Sequence, residues 1–277
     1  MKKGKELFFP SCHKFHLKTT YAEVTQPPEE GREQHAHDLC EIYFNLSGDV
    51  SFLVESTLYP IQSGSVIITR PGEYHHCVYN SIPTDHRSFC FFFSADQNEA
   101  FLPQFFDRPL GKRNLLNLKK DALNQATQLC HALIDCEPSP LKSYSLFFQL
   151  LDLLSQQDVS TESHSESSFP PDVLFALQYI QQNLCENITV AEIAQKAFVS
   201  VNTLERHFHA TLQMSPSAFL TLRRLIFAKE LLKSGKSVQD ACEKSGFSDY
   251  SHFIARFRKQ FGVTPLQYKK QLEFFQE

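Results

Sequence analysis

Tryptophan is absent from the 277 residues, while phenylalanine occurs 26 times. The bulky part of any core therefore falls to Phe. Long hydrophobic runs are also missing: a stretch such as Phe89 to Phe93 is far too short to cross a bilayer. The opening MKKGKELFFPSCHKF carries positive charge but no apolar central region, so no secretory signal is expected. Eight cysteines stand at positions 12, 40, 77, 90, 130, 136, 185 and 242, and no two form a CxxC pair. That scatter fits reduced thiols in a cytosol better than a disulfide framework or a zinc site. A GxSxG elbow, a glycine-rich phosphate loop and a Cys–His pair at supporting spacing are missing too. No catalytic constellation stands out.

What remains is a chain of ordinary globular composition, 42% hydrophobic and 21% charged, with a length that suits roughly two domains. Its net charge of -4 hides an asymmetry. Residues 1–169 hold 14 Lys and Arg against 21 Asp and Glu, a net -7, and residues 170–277 hold 13 against 10, a net +3. An acidic front and a mildly basic back are what a sensor joined to a nucleic-acid binder would show.

Three regimes follow one another. From about Tyr21 to Phe93, short β-rich runs are broken by Ser47-Gly48, Ser63-Gly64 and Pro71-Gly72, the pattern of a β-barrel or sandwich. From Lys119 to Gln157 two helices with apolar faces are predicted, the second opened by Ser139-Pro140. Such helices usually pack on the domain they follow, and they could also supply a dimer interface through Leu146, Leu150 and Leu153. QQDVSTESHSESSFPP then reads as an exposed linker, and helical periodicity runs from Asp172 nearly to the end. The boundaries predicted are a front domain over 1–157, a linker over 158–170 and a back domain over 171–277.

Two back-domain segments repeat one device about 48 residues apart: VAEIAQKAFVSVNTLERHF from Val190 and VQDACEKSGFSDYSHFIARF from Val238. Val190 matches Val238, Ala194 matches Cys242, and Lys196 matches Lys244. Ser200 matches Ser248, which is expected to cap the helix that carries Phe253, Phe257 and Phe261. After one extra residue in the second copy, Leu204 matches Phe253 and Phe208 matches Phe257. Each copy reads as a short helix, a tight turn and a second helix with apolar residues four apart, a helix-turn-helix. The units span 189–211 and 237–261. Between them lies SPSAFLTLRRLIFAKELLKSG, a longer helix opened by Ser215-Pro216 and closed by Gly235.

With MSPSAFLTLRRLIFAKELL and the closing GFSDYSHFIARFRKQFGVTPLQYKK, the doubled unit resembles the AraC/XylS family of bacterial transcription regulators over about Pro171 to Lys270. The resemblance implies two units on one face of duplex DNA, each placing its second helix in the major groove. By exposure on those helices, Asn202, Glu205 and Arg206 are candidates for base edges in the first copy. Tyr250, Ser251 and Ala255 are their counterparts in the second. Lys244, Arg256, Arg258 and Lys259 are better placed for phosphates. The family commonly has Arg in the middle of both second helices. Arg206 agrees, but the second copy has Ala255 there with Ile254 beside it, which suits a thymine methyl rather than guanine. The first copy is also less basic than usual in the family.

In the front domain, HAHDLCEIYFNLSG carries His35, His37 and Glu41, and His75 follows in PGEYHH. On an extended strand, odd-numbered neighbours share a face, so His35, His37, Glu41 and Tyr43 are expected to converge. The spacing is similar to the two cupin motifs, whose metal-binding members ligate a divalent ion with three His and the Glu. AraC-type regulators often carry a cupin-like barrel for a sugar or other small effector, frequently keeping such residues without metal. The fold class expected is therefore α+β and multidomain: a cupin-like β-barrel with two following helices, then an all-α double helix-turn-helix domain. The functional expectation is a cytoplasmic, homodimeric, effector-responsive regulator of carbohydrate uptake or metabolism genes, not an enzyme. Its partners would be double-stranded DNA, a small and possibly sugar-like effector, and RNA polymerase if it activates. No membrane and no cofactor is expected. The effector candidates are His35, His37, Glu41, Tyr43 and His75, without metal. The alternative is a metal-dependent enzyme or metal sensor using His35, His37, Glu41 and His75, fused to a DNA-binding domain.

Overall fold

The computed structural model describes residues 2–7, 17–25, 37, 39–79, 85–94, 99–135, 139–159, 169–212 and 214–274. They fall into two units, Met1–Ser167 and Ser168–Glu277. The front unit carries strands β1 (Lys2–Leu7), β2 (Leu17–Val24), β3 (Cys40–Ser47), β4 (Val50–Val54), β5 (Thr57–Ile61), β6 (Val66–Thr69), β7 (His75–Tyr79) and β8 (His86–Phe93). A short helix α1 (Pro103–Phe106), strand β9 (Leu115–Asn117), helices α2 (Lys120–Asp135) and α3 (Pro140–Ser155), and strand β10 (Asp158–Val159) complete it. One sheet has the order β1-β2-β8-β3-β6-β9-β10 and a smaller one the order β5-β4-β7. Among the described residues the sheet-rich front is thus built from two sheets, not one continuous ring.

Side-chain alternation explains how the two sheets are covered. Along β3, Ile42 and Phe44 join the outward core with Phe89, Phe91 and Phe93 of β8. Tyr43 points the other way and shares the inner core with Val50, Phe52, Tyr59, Ile67 and Cys77. Helices α2 and α3 seal the outer face through Ala126, Cys130, Leu133, Phe147, Leu150 and Leu154. With both faces covered, the second half of β8, Phe89 to Phe93, can be wholly apolar in sequence. The chain passes from β3 to β4 at Gly48, whose φ is 104° and where a Cβ would lie 2.8 Å from His86 Cα. Only glycine fits that close approach.

One expectation about α3 is corrected. Leu150 is fully buried, and the partly buried Leu146 and Leu153 pack against the same core, so this face of α3 is turned to the front unit's own sheet. The apolar residues that α3 leaves to solvent are Leu141, 81% exposed, and Phe148, 52% exposed. Asp158 and Val159, the first residues of the expected linker, pair with β9, while residues 160–168 lie outside the described residues.

Among the described residues, seven helices make the back unit: α4 (Pro171–Gln182), α5 (Val190–Lys196), α6 (Val201–Leu212), α7 (Pro216–Lys233), α8 (Val238–Lys244), α9 (Tyr250–Phe261) and α10 (Pro265–Phe274). Ser215 caps α7 by accepting from the Ala218 N–H, and Gly235 ends it at φ 85°. The long α7 serves both repeats. Its Phe219 meets Phe208 of α6 edge-on at 5.6 Å, and its Leu225, Ala228 and Leu232 share a core with Phe253 and Phe257 of α9. No described helix is long and apolar enough to cross a membrane.

Candidate functional site

In the front unit a cavity of about 290 Å³ opens between the inner face of β2, β3 and β8 and the strands β4 and β7. Phe52, Phe92, Tyr79, Cys77 and Cys90 give it apolar walls, and Lys18, Thr20, Glu41, Tyr43, His75, His86 and Ser88 give it polar ones. Glu41 is buried, and its Oε2 lies 3.1 Å from His37 Nε2 and 2.8 Å from His75 Nε2. Of the five expected effector residues, His37, Glu41 and His75 are therefore brought together, and Tyr43 lines the same cavity. His35 lies outside the described residues. His37 does not reach the cluster by strand alternation, because β3 starts only at Cys40; the bend before it folds the side chain back four residues.

The hydrogen bonds fix the protons on both imidazoles. His37 Nδ1 lies 2.9 Å from the Leu39 carbonyl and His75 Nδ1 lies 2.8 Å from the Glu73 carbonyl. A carbonyl only accepts, so both Nδ1 atoms carry hydrogen and both Nε2 atoms are aimed at one carboxylate oxygen. A neutral imidazole would set a lone pair against that oxygen; a proton or a cation between them removes the clash. Burial pushes the Glu41 carboxyl upward, but the charge on His75 and the hydrogen bonds from His37 and His75 outweigh it and hold the group well below its usual range. Burial likewise pushes His75 down, and the Glu41 carboxylate more than reverses this, so its pKa is raised. The three ligating atoms lie within 4.8 Å of one another, a grouping that could hold a metal ion.

Three supporting residues, His86, Glu73 and Arg108, carry no signal in the sequence. His86 Nδ1 meets the Ser47 carbonyl at 3.1 Å, so its Nε2 accepts the Tyr43 hydroxyl at 2.9 Å. Burial raises the Tyr43 phenol well above its ordinary value, keeping it a donor. Behind His75, the buried Glu73 is clamped by Arg108 in a bidentate pair of 2.7 and 2.6 Å, with Gly111 N–H donating at 2.8 Å. The clamp holds the backbone whose carbonyl orients the His75 ring. Arg108 stands 35 residues from Glu73, and nothing local in the sequence pairs them.

In the back unit, α5 and α6 form the first helix-turn-helix, and α8 and α9 the second. Ser200 caps α6, its hydroxyl accepting from the Thr203 N–H at 3.1 Å. The expected cap Ser248 is corrected to Asp249, whose carboxylate accepts from the His252 N–H at 2.7 Å. The second turn is one residue longer, so the capping place moves on by one and meets a better acceptor. The base-edge candidates Asn202, Glu205, Arg206, Tyr250, Ser251 and Ala255 are all exposed, as are Lys244, Arg256, Arg258 and Lys259. Two of these cations already have partners: Lys244 Nζ lies 3.4 Å from Asp240, and Arg256 Nε donates to His252 Nε2 at 3.0 Å.

A ligand-sized cavity in a sheet-rich unit, followed by two helix-turn-helix units on one connecting helix, defines the class of an effector-binding transcription regulator. A family model described as an AraC-like ligand binding domain matches residues 20–167, and one described as a helix-turn-helix domain matches residues 193–271. The chain belongs to the AraC family. It is 28% identical over 269 residues to the HTH-type transcriptional activator RhaS of Pectobacterium carotovorum, covering 91% of this chain and 92% of that one. To RhaS of Shigella flexneri it is 27% identical, covering 93% of each. Among solved structures, the C-terminal domain of AraT, a response regulator from Geobacillus stearothermophilus, matches 38% of the chain and 88% of its own, at 32% identity and a TM-score of 0.37. An apo ToxT variant of Vibrio cholerae matches over 94% of this chain and 98% of its own, at 13% identity and a TM-score of 0.37.

Proposed function

We propose that the chain is a cytoplasmic, homodimeric regulator of carbohydrate uptake or metabolism genes, acting through DNA and not as an enzyme. A carbohydrate-like effector would occupy the front cavity, and its binding would change how the back domain is presented to DNA. The observation that carries this reading is the buried Glu41, ionised between two histidines on the wall of a cavity flanked by Phe52 and Phe92. A fixed carboxylate accepts from ring hydroxyls, the Tyr43 oxygen offers a second acceptor, and an aromatic face suits the apolar side of a sugar. The volume suits one small molecule. Likeness to relatives named transcriptional activators favours activation, with RNA polymerase as the further partner. The predicted boundaries place effector binding and dimerisation in 1–157, the linker in 158–170 and DNA reading in 171–277.

A thermal-shift screen of the full chain against monosaccharides and sugar acids tests the reading. One or a few compounds should raise the melting temperature by mass action, and Glu41→Gln should shrink that rise while leaving DNA binding in place. No stabilisation by any compound would count against a carbohydrate effector.

The paired Nδ1–H donors favour one second reading. His37 and His75 each donate from Nδ1 to a carbonyl and aim Nε2 at Glu41, the set-up of a metal site with its ligand rings held from behind. His37, His75 and Glu41 would then hold a divalent transition ion, and the chain would sense metal or bind its effector through it. Elemental analysis of untagged protein separates the two. Well under one metal per chain, with effector-dependent DNA binding intact in chelator, supports the first reading. Stoichiometric metal whose removal abolishes the response supports the second.

A further inference from the structure

The caps allow α6 and α9 to be superposed residue by residue. In each, the capping side chain accepts from the third helical N–H, and the fourth and eighth residues are fully buried: Leu204 and Phe208 in α6, Phe253 and Phe257 in α9. At about 100° per residue, the second and sixth residues then share a ridge roughly opposite the buried one. That ridge is Asn202 and Arg206 in α6, and Ser251 and Ala255 in α9, all four exposed. The repeats therefore share a frame but offer different chemistry from it.

Asn and Arg are the side chains that bond bidentately to adenine N6/N7 and guanine O6/N7. Ala can only make apolar contact, for which the thymine methyl is the major-groove partner, and Ser reads weakly. Because both α9 side chains are short, that helix can approach the base edges more closely than α6. Phosphate-binding charge is distributed the other way. Past its ridge α9 carries Arg256, Arg258 and Lys259, whereas the matching places in α6 hold His207, His209 and Ala210. Arg256 is drawn back along the helix by its bond to His252, away from the Ala255 ridge.

We propose that the two units read unlike base edges: α6 specifies guanine and adenine through Arg206 and Asn202, while α9 specifies thymine through its methyl group against Ala255. The target site is then composite, with one segment read by hydrogen bonds and a second read by methyl contact and anchored by phosphate pairing. This rests on the DNA-reading function proposed above.

The test uses the full chain and a randomised duplex library, with any effector requirement met by the compound found in the thermal screen or by extract. In the enriched site, each thymine is replaced by deoxyuridine, which removes only the methyl, and each guanine by 7-deazaguanine, which removes the N7 acceptor. One segment should lose about fourfold in affinity per critical uracil, the scale of one buried methyl group. The other should lose about fivefold or more per critical deazaguanine, the lower end for a bidentate contact. Arg206→Ala should abolish the deazaguanine effect and keep the uracil effect. Ala255→Arg, a change at an exposed position, should re-select guanine where wild type selects thymine. Enrichment of a site that is insensitive to uracil, or an Ala255→Arg protein selecting the wild-type site, overturns this inference alone. No enrichment of any sequence overturns the DNA-reading function as well.

Discussion

At the scale of single residues, the two turns pose the same problem and solve it differently. Gly246 in the second unit has φ 85°, and a Cβ there would lie 3.0 Å from the Leu184 carbonyl oxygen and 2.9 Å from Arg224 Nε. The corresponding place in the first unit is Phe198, at φ 58° and 95% exposed. Left-handed backbone costs a side-chain-bearing residue about 1–2 kcal/mol, and an exposed ring recovers nothing from packing. Phe198→Gly is accordingly expected to leave stability unchanged or raise it by up to about 1 kcal/mol, whereas Gly246→Ala should lower it by more than ~1 kcal/mol. Urea melts of both variants check this, and equal effects would contradict the packing difference. In the front unit the buried Glu73–Arg108 pair predicts a larger loss. Arg108→Ala strands a buried carboxylate, so a destabilisation of about 3–5 kcal/mol is expected from denaturant unfolding.

At the scale of elements, α3 shows why an apolar helix face is ambiguous in sequence. PLKSYSLFFQLLDLLS carries more apolar residues than one contact needs, and periodicity alone does not say which of them meet the sheet. The sheet takes Phe147, Leu150, Leu151 and Leu154, leaving Leu141 and Phe148 outside. Leu150→Ala should therefore cost about 2–5 kcal/mol of stability, as at other well-packed cores. If the proposed homodimer forms through α3, Leu141→Asp with Phe148→Asp should give a folded monomer in sedimentation, with circular dichroism unchanged. A wild-type monomer, or a double variant that stays dimeric, would place the dimer contact elsewhere or remove it. The helix caps carry the same lesson. Repeat matching points to Ser248, but the extra turn residue hands the role to Asp249, and only backbone geometry reveals the shift.

At the scale of the whole molecule, the charge division of -7 in front and +3 behind limits how strongly the chain holds DNA without reading it. Non-specific affinity comes from phosphates neutralised and counterions released. Lys259→Ala should weaken binding to all sequences about equally and flatten the dependence of log K on log salt by roughly one unit. Titrations at several salt concentrations measure this, and a loss confined to one sequence would instead make Lys259 a base-reading residue.

Features that depend on near neighbours are written in the chain itself. Phe253, Phe257 and Phe261 recur every four residues, and their rings do meet edge-on in succession along α9, at 5.7 and 4.6 Å. Turn chemistry at Ser47-Gly48 and Gly235, the doubled helix-turn-helix and the place of Glu41 and Tyr43 on one strand face were legible for the same reason: helical and strand periods act over a few residues. Convergence across long stretches of chain emerges only once the sheets have formed. Glu41 meets His75, Tyr43 meets His86, and Glu73 meets Arg108 across 34, 43 and 35 residues. Those meetings depend on sheet order and register, on β3 lying beside β8 and on β7 facing them from the other sheet, and no local period encodes such pairings.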